Sequence, residues 1–407
     1  MKNIVLVAPF FRENTNRYIR GLARHANTIR LGIISQEPLE SLEPALRERV
    51  SAHFQISNCV DGVEVTRACR GLTVRMGPID RLLCPLEQLQ VPVAEAREAV
   101  GITGMWTEAA HNFRDKNKMK EVLRRAGVPV ARSQLLTSEH DAWSFLQEVG
   151  FPIVVKPPAG LGSKGTWRIR NTEEMRETLS QLRPSVTNPV QAEEFVTGQE
   201  NTCETITIRG KHVWHSGTRY LPGPLEVLEN PWMQYCVLLP RDEAEPNFTS
   251  FQPINRAALD ALGMDTGISH MEWFRRKDGA AVVSEVGARP PGAGIMPLMS
   301  VANDTDMIER WCDLMATETW PQLKRKYAAG CAFFRGQGTG RVKAVHGLDR
   351  AQEEIGSLVV QRQLPELGQQ KAASYEGEGW AVVRHEDTKV VLHALRRLVT
   401  LVRVEYA

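Results

Sequence analysis

The chain opens on an apolar run, "NIVLVAP", followed by a helical pattern in "NRYIRGLARHA" and a second apolar run, "IRLGIIS". A further helical stretch, "PLEQLQVPVAEAREAV", precedes "GIT". This alternation of strand and helix over residues 1–110 predicts a parallel, doubly wound sheet. Residues 112–150 read as mainly helical: "NKMKEVLRRAG" and "SEHDAWSFLQEVG" each close on a glycine suited to a helix C-terminus. From Phe151 the texture turns to strands, in "FPIVVK", "GTWRI", "VQAEEFV", "TCETITI" and "KHVWHSG", then "HMEWF" and "AAVVSEV". A helix, "DTDMIERWCDLMATE", separates these from residues 330–407. That last section carries strand runs at Cys331–Phe334, Gly356–Val360, Trp380–Arg384 and Leu398–Val404, with a helix near "KVVLHALRR". The pattern shows no internal repeat and no low-complexity segment.

Length and charge narrow the picture. A chain of 407 residues has room for two or three domains. Its 50 Lys and Arg against 48 Asp and Glu leave a formal net charge of +2, which argues against a nucleic-acid binder. The short basic pairs, such as Arg124-Arg125 and Arg396-Arg397, read as solvated faces. No apolar run approaches the roughly 18 residues of a membrane span. "MKNIVLVAPFF" is followed at once by Arg12 and Glu13 and reads as a first strand, not a signal peptide. The seven cysteines are scattered with no metal-like spacing, which points to reduced thiols in a cytoplasmic compartment. Cys203 and Cys236 read as small hydrophobes. There is no GxGxxG after the first strand, so a dinucleotide fingerprint is absent.

The segment "HMEWFRRKDGAAVVSEVGA" carries the most chemistry. Asp278-Gly279 signals a two-residue type I′ turn. With those two residues as the turn, Lys277 pairs with Ala280, and the same register sets Glu272 directly across from Glu285, Cβ atoms about 4.5–5.5 Å apart. Facing carboxylates repel unless one is protonated or a cation bridges them. Oxygen-only ligands favour Mg²⁺ or Mn²⁺, which also takes substrate phosphates. The same register puts His270 opposite Gly287, as a phosphate-contacting residue or a support to the carboxylates. An exposed, screened pair, or a register slipped by one residue, is the alternative.

Three further stretches suit an anionic ligand. "FPIVVKPPAGLGSKGTWRI" ends an apolar strand on Lys156 and continues into a loop containing Gly160, Gly162, Ser163 and Gly165. Small residues let backbone N–H groups approach an anion. A strand follows instead of a helix, so this is not a P-loop. A lysine inside a buried strand needs a negative partner. In "VQAEEFVTGQENT" the edge of Glu193, Glu194 and Val196 suits an adenine, and Glu200 beyond the turn suits ribose hydroxyls; a solvated acidic edge fits equally well. "FRDKNKMK" starts a helix with Asp115 as N-cap. Lys116 in its first turn is unfavourable for the helix dipole, and reads either as a surface lysine or as one aimed at phosphate. The segment "WHSGTRYLPGPLEVLENPWMQY" is a candidate acceptor-pocket lining, with Arg219 as a carboxylate reader or an exposed arginine, and Trp232 and Tyr235 as packing residues.

Taken in order, Lys116 in "RDKNKMK", Lys156 with "PPAGLGSKG", "EEFVTGQE" and "HMEWF…SEVGAR" resemble the ATP-grasp superfamily over roughly residues 110–295. The resemblance implies an α/β fold with three parts. These are an N-terminal doubly wound domain (1–110), a small lid with the glycine-rich loop (111–195), and a large C-terminal mixed-sheet domain (196–407) ending in a β-rich section (330–407). It implies that Lys116 and Lys156 contact ATP phosphates under the loop 159–165. Glu193, Glu194 and Val196 would hold adenine, largely through backbone, and Glu200 the ribose. Glu272 and Glu285 would bind Mg²⁺ or Mn²⁺, and Arg289 would stabilise an acyl-phosphate. The family often has Asn at the position of Gly287, so the ligand set departs from its pattern, and His270 or water is the candidate to fill the gap. The implied activity is ATP-dependent carboxylate–amine ligation, forming ADP, with an amino acid as a substrate. A biotin-carboxylase-like enzyme and a non-catalytic ATP-binding sensor are the alternatives. "HxE" before the hairpin favours the amino-acid-ligase branch. By analogy with related folds, the implied assembly is a homodimer.

Overall fold

Four strands, β1 (Lys2–Val7), β2 (Ile29–Ser35), β3 (Val50–Gln55) and β4 (Arg81–Leu83), form the N-terminal sheet of the computed structural model, which describes residues 1–158, 165–230 and 233–407. Their order is β3-β2-β1-β4 and every pairing is parallel. The fully apolar run of β1 follows from burial on both sides. Ile4 and Leu6 pack with Ile19 and Leu22 of the helix Glu13–Ala23, whereas Val5 and Val7 pack with Val65, Leu72 and Val93 of the helices Gly62–Met76 and Gln90–Val100.

A second sheet of four strands comprises β5 (Ser133–Leu136), β6 (Ile153–Lys156), β7 (Trp167–Ile169) and β8 (Val190–Glu194), ordered β5-β8-β6-β7. The strand β5 interrupts the stretch 112–150 that the pattern marks as mainly helical. The helices Glu139–Val149 and Thr172–Leu182 cover this sheet, with Phe145, Met175 and Leu179 packed on Ile153 and Val155.

The largest sheet has eight strands. In chain order these are β9 (Gln199–Ile208), β10 (Lys211–Leu221), β11 (Tyr235–Leu239), β12 (Gly267–Arg275), β13 (Ala281–Gly287), β14 (Ala328–Phe334), then β16 (Val359–Gln363) and β17 (Gly379–His385). The spatial order is β13-β12-β9-β10-β11-β14-β17-β16. The expected mixed sheet is wholly antiparallel in its pairings. Hairpins β9–β10 and β12–β13 set that sense, because a short turn joins only antiparallel neighbours. The strand run expected at Leu398–Val404 is mostly helix: Thr388–Leu401 is helical and only β18 (Arg403–Tyr406) is extended, paired with β15 (Val342–His346). The apolar residues Val391, Leu395 and Leu398 recur at helical spacing and are buried against the sheet.

Candidate active site

The hairpin β12–β13 places the two glutamates, though not by the expected turn. The Arg276 N–H donates to Ala280 O (2.9 Å) and the Gly279 N–H to Arg276 O (3.0 Å), so Lys277, Asp278 and Gly279 form a three-residue loop. Gly279 has φ 85°, the left-handed conformation that glycine adopts without strain. Pairing then runs Arg275–Ala281, Phe274–Val282 and Trp273–Val283, one residue off the two-residue turn. A β-bulge at Ser284 takes up the difference, and beyond it Glu272 faces Glu285 and His270 faces Gly287. Ser284 and Glu285 both border the same cavity as Glu272. Lys277 does not pair with Ala280, yet the facing carboxylates stand.

A cavity of about 750 Å³ lies over this end of the sheet, within the usual range for ligand sites. Lys116, Lys156, Glu193, Glu194, Val196, Glu200, His270, Glu272, Glu285 and Arg289 all border it. Gly165 does not; it has φ 68° and lies beside Pro157. The expected contacts of Gly160, Gly162 and Ser163, like Trp232, lie outside the described residues. Arg219 pairs with Glu245 and stands away from the cavity, and Tyr235 is buried in the core.

Two basic side chains one helical turn apart come from the helix Lys116–Arg125, which starts at Asp115 with its carboxylate accepting the N–H groups of Asn117 and Lys118. Lys116 pairs with Glu285. Lys120, 1% exposed, donates to Glu193 Oε2 (3.2 Å), and Lys156 Nζ lies 3.0 Å from the same oxygen. Burial would raise the Glu193 carboxyl pKa, but the two ammonium groups outweigh it and the group is held below its ordinary range. Burial and the neighbouring Lys156 lower the pKa of Lys120. Glu193 thus anchors two lysines through one carboxylate oxygen, while its backbone lies within the sheet, flanked by Ser133 and Val154. Glu194 is held by Arg132 (2.8 Å).

The carboxylates differ in state. Burial works against ionisation of Glu285, but Lys116 and Lys156 pull its pKa down to about 2. Burial and the charge of Glu272 push Glu200 well above the usual carboxylate range. The Tyr220 hydroxyl donates to Glu272 Oε1 (3.1 Å). His270 Nδ1 lies 2.8 Å from Glu204 Oε1, and its Nε2 lies 3.6 Å from Glu272. Burial alone would lower the imidazole pKa; the hydrogen bond to Glu204 and the nearby Glu272 carboxylate reverse this and raise it to about 9. On the other side, Arg289 donates through Nε to Glu87 Oε2 (2.8 Å) and through Nη1 to Pro290 O (2.9 Å).

Glu272 and Glu285 suit Mg²⁺. That ion takes one or two protein carboxylates and completes its shell with phosphate oxygens and water. Both side chains retain over a quarter of their surface open to the cavity, 27% and 30%. Among the described residues no third acidic, His or Cys ligand joins them in a metal-holding group. Gly287 adds no side chain, so phosphate and water oxygens would complete the shell. His270 is already bonded through Nδ1, and with its raised pKa it stands beside Glu272 as a cation.

Sequence reasoning missed Glu87, Lys120, Glu204, Tyr220 and Tyr375. Lys120 carried a signal, four residues after Lys116 on one helix face. Glu87 and Tyr375 carried none, since they reach the cavity from opposite ends of the chain.

The profile of the ATP-grasp domain matches residues 121–303. An L-arginine-specific L-amino acid ligase of Bacillus subtilis is 24% identical over 60% of this chain and 59% of its own length. Alanine–anticapsin ligase of Bacillus subtilis strain 168 is 31% identical over 55% of this chain and 51% of its own. The chain thus spans between half and three-fifths of these relatives. The crystal structure of an L-amino acid ligase from Bacillus licheniformis superposes with a TM-score of 0.77 at 19% identity, over 100% of this chain and 99% of that one. Among the described residues no helix is long and apolar enough to cross a membrane.

Proposed function

Because residues 121–303 are an ATP-grasp domain, we propose that the chain is an ADP-forming carboxylate–amine ligase that couples an amino acid to an amine-bearing acceptor. The observation that carries the reading is the facing Glu272–Glu285 pair, set in one cavity with Lys116, Lys156 and Arg289. Relatives named as amino acid ligases support the substrate class.

In this reading the backbone of Glu194 and Val196 holds the adenine, Glu200 the ribose, and Lys156 the phosphates. Lys116 exchanges its Glu285 partner for a phosphate oxygen. Glu272 and Glu285 would hold Mg²⁺, which would neutralise charge on the transferring phosphoryl group. A substrate carboxylate attacks the γ-phosphorus, the bond to the β-phosphate oxygen breaks, and ADP leaves. The acceptor amine then attacks the acyl carbon and inorganic phosphate departs with the C–O bond electrons, the amine losing one proton to solvent. Arg289, held in place by Glu87, meets the charge that develops on the acyl-phosphate and tetrahedral oxygen atoms. His270, held by Glu204, adds a second cation beside Glu272. We place the enzyme in the cytoplasm, in keeping with seven buried free cysteines, and as a homodimer by analogy of fold.

The test is ADP and phosphate release with Mg²⁺-ATP and pairs of L-amino acids, with biotin plus bicarbonate in parallel. Release that needs a particular pair, with a condensed product by mass spectrometry, is the expected result. Release only with biotin and bicarbonate would favour a carboxylase. ATP binding without turnover would leave a sensor.

A further inference from the structure

Tyr375 reaches the cavity from outside the ATP-grasp match. It lies on the connection 364–378 between β16 and β17, near the other end of the molecule's sequence from the site lysines. That connection is a built wall. Glu378, its buried last residue, accepts the Ala372 N–H at Oε1 (2.8 Å) and the Tyr406 hydroxyl at Oε2 (2.5 Å). The neighbouring Glu376 carboxylate lies against the backbone amide of Ala293, in the Pro-Pro-Gly-Ala-Gly stretch after Arg289.

The Tyr375 ring is fixed by its neighbours. It meets Tyr235 edge-on, centroids 5.1 Å apart, and Tyr235 stacks on Phe333 at 5.1 Å. Tyr220, 5.9 Å from Tyr235, completes the aromatic group. These tyrosines differ in what their hydroxyls do. That of Tyr220 is used by Glu272 (3.1 Å), and that of Tyr235 is enclosed in the core. Tyr375 borders the cavity, and its hydroxyl has no hydrogen-bond partner among the described residues. It lies within the electrostatic reach of Glu272 and Arg289.

We propose that Tyr375 is a specificity-determining residue: its hydroxyl hydrogen-bonds a polar group of the substrate whose carboxylate is activated. The inference rests on the ligase reading above. A substrate carboxylate must stand near the Glu272–Glu285 pair and Arg289 to reach the phosphoryl group, and Tyr375 borders the same cavity with a hydroxyl that no described residue engages. A rigid aromatic ring with one polar tip suits an amino acid offering a donor or acceptor there.

The test uses the full chain with the pair of L-amino acids that gives the fastest ADP release. Mass spectrometry of the condensed product identifies its N-terminal residue, which is the activated carboxylate. Tyr375→Phe keeps the ring against Tyr235 and removes only the hydroxyl. The expected result is a rise of about three- to tenfold in KM for the carboxylate substrate, the worth of one net hydrogen bond. KM for ATP and for the amine should stay within about twofold. Tyr375→Ala should in addition admit bulkier carboxylate substrates. An unchanged KM for the carboxylate substrate, or a shift confined to the amine or ATP, overturns the assignment and leaves the ligase reading standing. Absence of product from the unmodified chain with every pair removes the ligase reading, and the assignment with it.

Discussion

At the residue scale, the site is a set of charges that neutralise one another in pairs. Glu193 lies between Lys120 and Lys156, Glu285 faces Lys116, and Glu87 holds Arg289. In such a set the unfilled position is informative. Gly287 shares the cavity face with Glu285 and sits across from His270. A Cβ built there would make ordinary contacts, 3.7 Å from Arg289 Cγ and 4.0 Å from His270 O, and the backbone is not in the left-handed region. Gly287→Asn therefore fits without strain and adds an oxygen ligand on the metal face. The Mg²⁺ concentration that half-saturates ADP release should fall by about threefold or more, as an added ligand tightens a two-carboxylate site. A Mg²⁺ requirement that does not move would mean that the ion does not sit over the Glu285–Gly287 edge.

At the scale of elements, two local devices set the geometry. The first is the bulge at Ser284. Asp278-Gly279 was legible as a hairpin turn, and Glu272 opposite Glu285 was legible as a consequence, but the loop is one residue longer and the bulge compensates. Turn chemistry can be read from two residues; a bulge depends on how Val283 packs beneath the sheet, where it is fully buried with Trp273, and the local sequence does not announce it. The second device is the N-terminus of the helix Lys116–Arg125. Asp115 caps it by accepting two N–H groups at 2.9 and 3.0 Å, and the cap fixes the turn that carries Lys116 and Lys120. Asp115→Ala should remove about 1 kcal/mol from that turn, read as about fivefold faster amide exchange at Asn117 and Lys118 together with a higher KM for ATP. Asp115→Asn should restore both. Unchanged exchange would show that tertiary packing alone holds the helix end.

At the scale of the whole molecule, the cavity draws on parts that are far apart in sequence: Glu87 from the N-terminal section, Arg168 from the second sheet, Tyr375 from the last section. The doubly wound start and the hairpin glutamates were legible because each is a local pattern. Glu87 and Tyr375 were not, since their meaning arises only when the sheets close on one another. That closure has a visible fastening. Arg168 Nε donates to Glu229 Oε1 (3.1 Å) and Arg170 Nη2 to Glu229 Oε2 (2.9 Å), joining β7 and its extension to the end of the helix Pro224–Glu229. A carboxylate at a helix C-terminus opposes the dipole, so Glu229 is better explained by its two arginines than by its own helix. Arg168 also lies 4.8 Å from the centre of the Phe195 ring, next to Val196, where the proposed reading sets the adenine. Glu229→Ala removes two partly buried pairs, together worth about 1 kcal/mol, and frees the second sheet to swing. KM for ATP should rise by about fivefold on that energy, while the rate at saturating ATP stays near that of the unmodified chain because no group touching the reacting atoms has changed. If KM for ATP holds and the saturated rate falls instead, Glu229 acts on the chemistry and not on closure of the sheet over the nucleotide.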